Sequence, residues 1–180
     1  MRGWTRGDVR AKRIGQLGRA FTECKNGFVL PTGTVFSLKM VDEEACRIWA
    51  ETWQAIERSE PDGGWDWAHI HNETKWRDDQ FCIALWHDDA ILCGLALLTV
   101  TRGAIAVEVL EGNPDRNHPL KRSVLPILLD TSTRFAQVVG RSELRLVEPV
   151  DGLISVYCDV YGFELVPASK GQKTVCRRSV

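Results

Sequence analysis

Apolar positions along the chain change period several times, and the changes predict an alternation of helices and strands. Residues 1–26 read as a basic helical arm weakened by Gly3, Gly7, Gly15 and Gly18, because glycine loses the most backbone freedom on entering a helix. Phe28–Leu30 can open a strand, Pro31–Gly33 signals a turn, and Thr34–Met40 places Val35, Phe36, Leu38 and Met40 in a strand. Asp42 stands where a helix N-cap belongs, with Glu43 and Glu44 in the first turn. Ala45, Ile48, Trp49, Thr52, Trp53 and Ile56 then form an amphipathic stripe, which Ser59–Gly64 ends. Trp65–Trp76 is predicted as a short, irregular helix. Phe81–Trp86 and Ile91–Val100 are strands joined through His87, Asp88 and Asp89, and Arg102 and Gly103 turn the chain into a third strand, Ala104–Leu110. Their nearly continuous apolar character predicts a sheet covered on both faces.

Glu111–Pro119 is a loop by its glycine, asparagines and prolines. A helix follows over Ser123–Val139, with Ser123 as cap, Pro126 in the first turn and a stripe through Val124, Ile127, Leu128, Thr131, Phe135 and Val138 up to Gly140. Glu143–Val147 is a strand that Pro149 must end. Asp151 caps a helix from Leu153 to Val160 that closes on Gly162. Phe163–Val166 and Lys173–Arg177 are the last strands. The order predicts an α/β (α+β) domain with helices against a mixed sheet.

A chain of 180 residues fits one domain with an added arm and can bury a core without staples. Its longest apolar run, Ala90–Val100, is too short for a membrane span, and the basic N-terminus lacks a signal peptide's apolar stretch, so a cytoplasmic location is expected. Cys24, Cys46, Cys82, Cys93, Cys158 and Cys176 form no C-x-x-C pair and sit mostly in apolar runs, as free thiols in a reducing compartment do. The net charge of −1 hides a segregation: residues 1–26 carry a balance of +5, residues 42–89 one of −9 and residues 113–145 one of +3. Solvated helix faces explain such blocks, and so do two oppositely charged sites.

The first candidate site is the helix start after Pro119. N–H groups in a first helical turn have no intrahelical acceptor and, with the helix dipole, suit phosphate oxygens. Lys121, Arg122 and Arg116 add charge, and a diphosphate would lie against the amides of Leu120–Leu125. Every strand–loop–helix unit has such an end, so the pattern alone leaves a structural role open. The second is Tyr157, on the helix that runs into Gly162 and Phe163. A phenol titrates near a thiol and can donate a proton to a departing thiolate; it can equally be a core aromatic. His69, His71 and His87 include a His-x-His spacing, but no cysteine or carboxylate pattern completes a ligand set, so no metal is expected.

Together these stretches resemble the GNAT acetyltransferases. The resemblance runs from about Thr34 to Arg177 and is carried by the strand Ala104–Leu110, the segment PLKRSVLPILLDTSTRFA, the strand ELRLVEP and the VYCDVYGFEL segment, which is similar to the family's Tyr-x-x-x-Gly-Phe ending. It implies the GNAT fold over residues 27–180, a mixed, mostly antiparallel central sheet flanked by helices. It also implies acetyl-CoA as co-substrate and direct attack by an amine without a covalent intermediate. The pantetheine arm would lie between splayed strands Ala104–Leu110 and Glu143–Val147, against Leu110. The diphosphate would meet Leu120, Lys121, Arg122, Ser123, Val124 and Leu125. Tyr157 would be the acid and Glu108 the general base, with Glu111 in reserve; strand alternation puts these two carboxylates on opposite faces. Two departures stand out. The family's loop, Arg/Gln-x-x-Gly-x-Gly/Ala, aligns with Leu120–Leu125, where both glycines are missing, and Tyr157 lies five residues before Gly162 rather than four.

In this fold the acceptor meets the first two helices, here an acidic, tryptophan-rich block: Glu43, Glu44, Glu51, Glu57, Glu60, Asp62 and Asp66 with Trp49, Trp53, Trp65 and Trp67. Carboxylates and indole faces suit a cationic amine, small or on a protein, although the stripe also makes Trp49 and Trp53 core residues. A nucleic-acid reading combines residues 1–26 with Arg122, Arg141 and Arg145, as in GNAT toxins acting on aminoacyl-tRNA, and needs one continuous basic surface. The missing glycines also admit a non-catalytic acyl-CoA sensor or interaction module. Edge strands and tryptophans admit a homodimer.

Overall fold

The computed structural model describes residues 5–31, 33–57 and 63–180. Its sheet grows from a hairpin of β2 (Gln80–His87) and β3 (Ile91–Val100). Asp88 and Asp89 both have positive φ, 49° and 54°, and the Ala90 N–H bonds the His87 carbonyl at 3.0 Å. Positive φ at both central positions of the 87–90 turn matches the twist of the flanking strands, and aspartate tolerates it better than most residues. β1 (Ser37–Met40) adds antiparallel to β2, and β4 (Ala104–Gly112) to β3. β5 (Glu143–Val147) joins parallel to β4, then β7 (Val175–Ser179) and β6 (Glu164–Val166) close the order β1-β2-β3-β4-β5-β7-β6.

Both faces are covered, as the apolar runs predict. Along β2, Phe81, Ile83 and Leu85 enter one core while Cys82, Ala84 and Trp86 enter the other. The first core is closed by α1 (Arg6–Gly27), α4 (Val124–Val138) and α5 (Ile154–Asp159). The second is closed by α2 (Glu43–Ile48), the π-helical turn Trp49–Trp53 that continues it, and α3 (Trp67–Thr74). Gly94 lets α4 lie this close to the sheet, because a Cβ there would meet Val124 Cγ1 at 2.6 Å.

Several boundaries differ from expectation. Residues 1–26 are expected as an arm; α1 packs on α4 inside the first core, with Leu17, Ala20 and Cys24 fully buried. A capping box between Thr5 and Asp8 starts this helix; Gly15 and Gly18 occur where nothing crowds them, Gly7 lies near only the cap, and a Cβ at Gly27 would meet the Arg134 guanidinium at 2.8 Å. Residues 28–30 are not a strand, and β1 begins at Ser37 rather than Thr34. Asp42 does cap α2, accepting from the Ala45 N–H at 2.9 Å. Ser123 precedes α4 but makes no side-chain cap bond, and Asp151 lies inside a 3-10 turn (Asp151–Leu153) that leads into α5 rather than capping it. Thr32 of the predicted turn, Ser59–Asp62 of the predicted helix end and Met1–Trp4 lie outside the described residues.

Candidate functional site

Among the described residues, the sheet opens between β4 and β5. β4 and β5 pair only from Ala104↔Glu143 to Val107↔Leu146. β4 runs on to Gly112, while β5 ends at Val147 and Pro149 follows. A β-bulge explains where the strands part: Leu98 pairs with Val107 and Leu97 with Val109, so Glu108 is the extra residue. A bulge bends its strand and raises the local twist. The main-chain edge of β4 beyond Glu108 therefore faces a gap instead of a partner.

That gap is a cleft of about 590 Å³. Leu110, Glu111 and Gly112 of β4 line one side, Leu125 of α4 its base, Leu153 and Tyr157 the α5 side, and Gly63 and Trp65 the far wall. A second cavity of about 300 Å³ shares Leu110, Gly112 and Leu125 with it and adds His118, Arg122, Val124 and Tyr161.

Glu111 is 3 % exposed. One carboxylate oxygen accepts the Gly64 N–H at 2.9 Å and the other accepts Trp67 Nε1–H at 2.6 Å. These bonds satisfy a buried charge, whose isolation would be costly, and they tie the wall before α3 to the end of β4. Glu108 does not line the cleft. It is half-buried and near enough to Lys173 for their charges to interact. The order expected of the two is thus reversed: the bulge resets the alternation, and Glu111 rather than Glu108 reaches the opening.

Tyr157 is 7 % exposed and packs edge-on against Phe163, with centroids 6.3 Å apart. Burial pushes its phenol up to about 12, with smaller contributions from Cys176 and Tyr161. The helix end absorbs the extra residue before Gly162. The Phe163 N–H bonds the Tyr157 carbonyl at 3.0 Å, one residue further back than in a Schellman ending, and Gly162 takes φ 68°.

At the start of α4, the Lys121 and Ser123 N–H groups are used in turns, bonding the His118 and Leu120 carbonyls at 3.1 and 2.9 Å. Among the described residues, the N–H groups of Arg122, Val124 and Leu125 have no main-chain acceptor. Leu120 is fully buried and Lys121 points to solvent, so neither borders a cavity, whereas Arg122, Val124 and Leu125 do. The expected six-residue cradle thus narrows to three bare donors.

Other expectations fare unevenly. Trp49 and Trp53 are core, 2 % and 0 % exposed, and Trp67 is buried with its N–H on Glu111. Only Trp65 of the four reaches the cleft. Glu44 and Glu51 both pair with Arg47; Glu60 and Asp62 lie outside the described residues. Several of the basic residues that the nucleic-acid reading combines have partners within the chain. Arg10 and Arg13 bind the carbonyls of Arg77 and Asp78, Arg141 that of Thr101, and Arg145 pairs with Glu143. His69, His71 and His87 join no cluster of three metal-ligating side chains among the described residues. Burial pushes the Cys24 thiol up to about 12 and those of Cys46, Cys82, Cys93 and Cys176 to about 11, so none of the five is a thiolate near neutral pH. No described helix is long and apolar enough to cross a membrane.

No protein-family model matches the sequence, and no curated protein matches it. Solved structures do match. The ribosomal-protein-S18-alanine N-acetyltransferase of Escherichia coli superposes with a TM-score of 0.52 at 14% identity, over 81% of this chain and 93% of that one. RimJ of Mycobacterium smegmatis, in complex with CoA-disulfide, gives 0.56 at 14% identity over 81% and 82%. The spermidine N-acetyltransferase of Vibrio cholerae, in complex with CoA and spermine, gives 0.52 at 13% identity over 81% and 94%. The architecture described above is therefore the fold of the GNAT N-acetyltransferases.

Proposed function

From that fold and this cleft, we propose that the chain is an N-acetyltransferase that passes the acetyl group of acetyl-CoA directly to an amine. The observation that carries the reading is the parting of β4 and β5 at the Glu108 bulge, which leaves an unpaired strand edge, a buried carboxylate and a buried phenol around one opening. The residues fit the co-substrate. Unpaired main-chain groups beyond Glu108 offer hydrogen bonds to an amide-bearing arm, as an edge strand does for an added strand. Bare N–H groups at the start of α4 suit phosphate oxygens. Acetyl-CoA supplies a thioester, whose carbonyl carbon is open to attack.

Glu111 is the base. Among the described residues its oxygens accept the Gly64 N–H and the Trp67 Nε1–H, and an ionised carboxylate, an acceptor at both oxygens, can take up a proton. It takes the proton the amine loses as the new N–C bond forms. Tyr157, held protonated because burial raises its pKa, passes that proton to the sulfur as the C–S bond breaks, so the sulfur leaves as a free thiol, and the proton that Glu111 took from the amine returns to the phenolate through solvent. The acceptor enters beside Trp65, whose indole face and the Glu111 charge favour a cation.

The test is thiol release from acetyl-CoA in the presence of a polyamine, peptides with free N-termini and an aminoacyl-tRNA. Release that depends on one of the first two and weakens with added salt supports the reading. Release that requires the tRNA would transfer the site to the nucleic-acid alternative. Saturable acetyl-CoA binding with no release from any amine would make the chain a non-catalytic acyl-CoA module.

A further inference from the structure

The family's loop uses glycine so that main-chain N–H groups can approach a diphosphate, yet this chain has Ser123 and Leu125 at those places and two of the six N–H groups are turned inward. Something else borders the same cavity. His118 is 8 % exposed, and its side chain has no hydrogen-bond partner among the described residues. Its Nδ1 is sealed from solvent, so Nε2 is the nitrogen left on the cavity side. A buried N–H without an acceptor is costlier than an unused lone pair, so the proton of the neutral ring belongs on Nε2, pointing outward as a donor. Arg122 lines the same cavity, pairs with no carboxylate among the described residues, and takes φ 71°, a conformation unfavourable for a side-chain-bearing residue. A strained cation, an unpartnered buried imidazole and the bare first turn of a 15-residue helix thus converge on one space.

We propose that His118, donating from Nε2, and Arg122 form a side-chain clamp for the co-substrate's diphosphate, replacing the main-chain contacts that the missing glycines would allow. This rests on the acetyl-CoA reading and adds to it the groups that recognise the anion.

The clamp carries a pH signature. Burial holds the free imidazole below its usual range; Lys121 acts in the same direction and Asp115 against it. Arg122 also faces the cavity as a cation, and Tyr161, raised by burial, faces it neutral. A bound diphosphate favours the imidazolium and raises its pKa. Affinity therefore climbs as pH falls through the bound-state value and levels off below the free-state value.

The experiment is calorimetric titration with acetyl-dephospho-CoA, whose diphosphate does not itself titrate near neutrality, and with S-acetylpantetheine, which lacks it. Titrations run from about pH 8 to about pH 5.5, spanning the histidine range. Wild type should bind the first ligand more tightly as pH falls and the second independently of pH. His118→Gln restores an N–H near the Nε2 position and should keep the pH 8 affinity while losing the pH dependence. His118→Asn places its amide near Nδ1 instead and should bind about tenfold more weakly, as should Arg122→Gln; S-acetylpantetheine should bind all four proteins alike. If His118→Asn does not fold by thermal unfolding, His118→Gln and Arg122→Gln decide the question. Equal affinities and equal pH profiles in all folded variants would overturn the clamp while leaving the acetyl-CoA reading intact. Failure of wild type to bind either ligand would remove that reading, and the clamp with it.

Discussion

The two halves of β4 show how one strand can be sealed in the core over part of its length and open to a cleft over the rest. From Ala104 to Val107 the strand is hydrogen-bonded on both sides and every side chain is buried and aliphatic. From Glu108 to Gly112 it keeps β3 but has no β5 partner, and it carries two carboxylates. One inserted residue separates these regimes. The first half contributes through apolar burial. The second leaves backbone groups unpaired, which a protein tolerates where water or a ligand completes them.

The largest difference between the halves should appear at Glu111. Glu111→Gln should lower kcat about 10²- to 10⁴-fold, with circular dichroism unchanged, because the amide can still accept one of the two N–H groups. A kcat near wild type would take the base role from Glu111. In the zipped half, Ile105→Ala removes a fully buried side chain and should cost about 2–5 kcal/mol in chemical denaturation, while kcat per folded molecule holds. A stability loss well under that range would mean that the first half is not a rigid, well-packed partner.

Tyr157→Phe should reduce kcat about 10²-fold, at the lower end for a lost proton donor. It also tests the phenol's environment. A folded-state pKa raised from 10 to about 12 means that between those values the unfolded chain releases a proton that the folded chain keeps. The buried thiols, raised from 9 to about 11 or 12, make stability fall from pH 9 upward, and Tyr157 steepens that fall between pH 10 and about 12. The Phe variant should show a shallower slope above pH 10, and a slope unchanged from wild type there would remove the phenol from it. The smallest effect belongs to Glu108→Gln, expected within about twofold of wild type in kcat/KM, since surface-type changes are usually near neutral. A large loss would restore the base assignment made from sequence.

The contrast also marks where sequence stops being informative. β2, β3 and β5 were legible because strand length, apolar alternation and an Asp88–Asp89 turn all agree. α4 was legible from its stripe and Gly140, which takes φ 70°. The bulge was not: one extra residue flips every later side chain to the other face, and nothing in Ala104–Gly112 announces it. That single residue moved the expected base from Glu108 to Glu111. The Glu111–Trp67 bond joins residues 44 apart in sequence, which no local pattern reports. The acidic, tryptophan-rich block misled in a different way. Its charge and aromatic content are real, but three of the four indoles are buried, as the helical stripe allows. His118 lay in a stretch rich in turn residues, and only its burial singles it out.

Amide hydrogen exchange along β4, with and without acetyl-CoA, tests the central claim most directly. Ala104–Val107 should be protected in both states, being bonded on both sides already. Protection should appear on addition of acetyl-CoA within Glu108–Gly112 and at Arg122, Val124 and Leu125. Exchange in those segments that is identical in the two states, at acetyl-CoA concentrations reaching the millimolar range, would contradict the account.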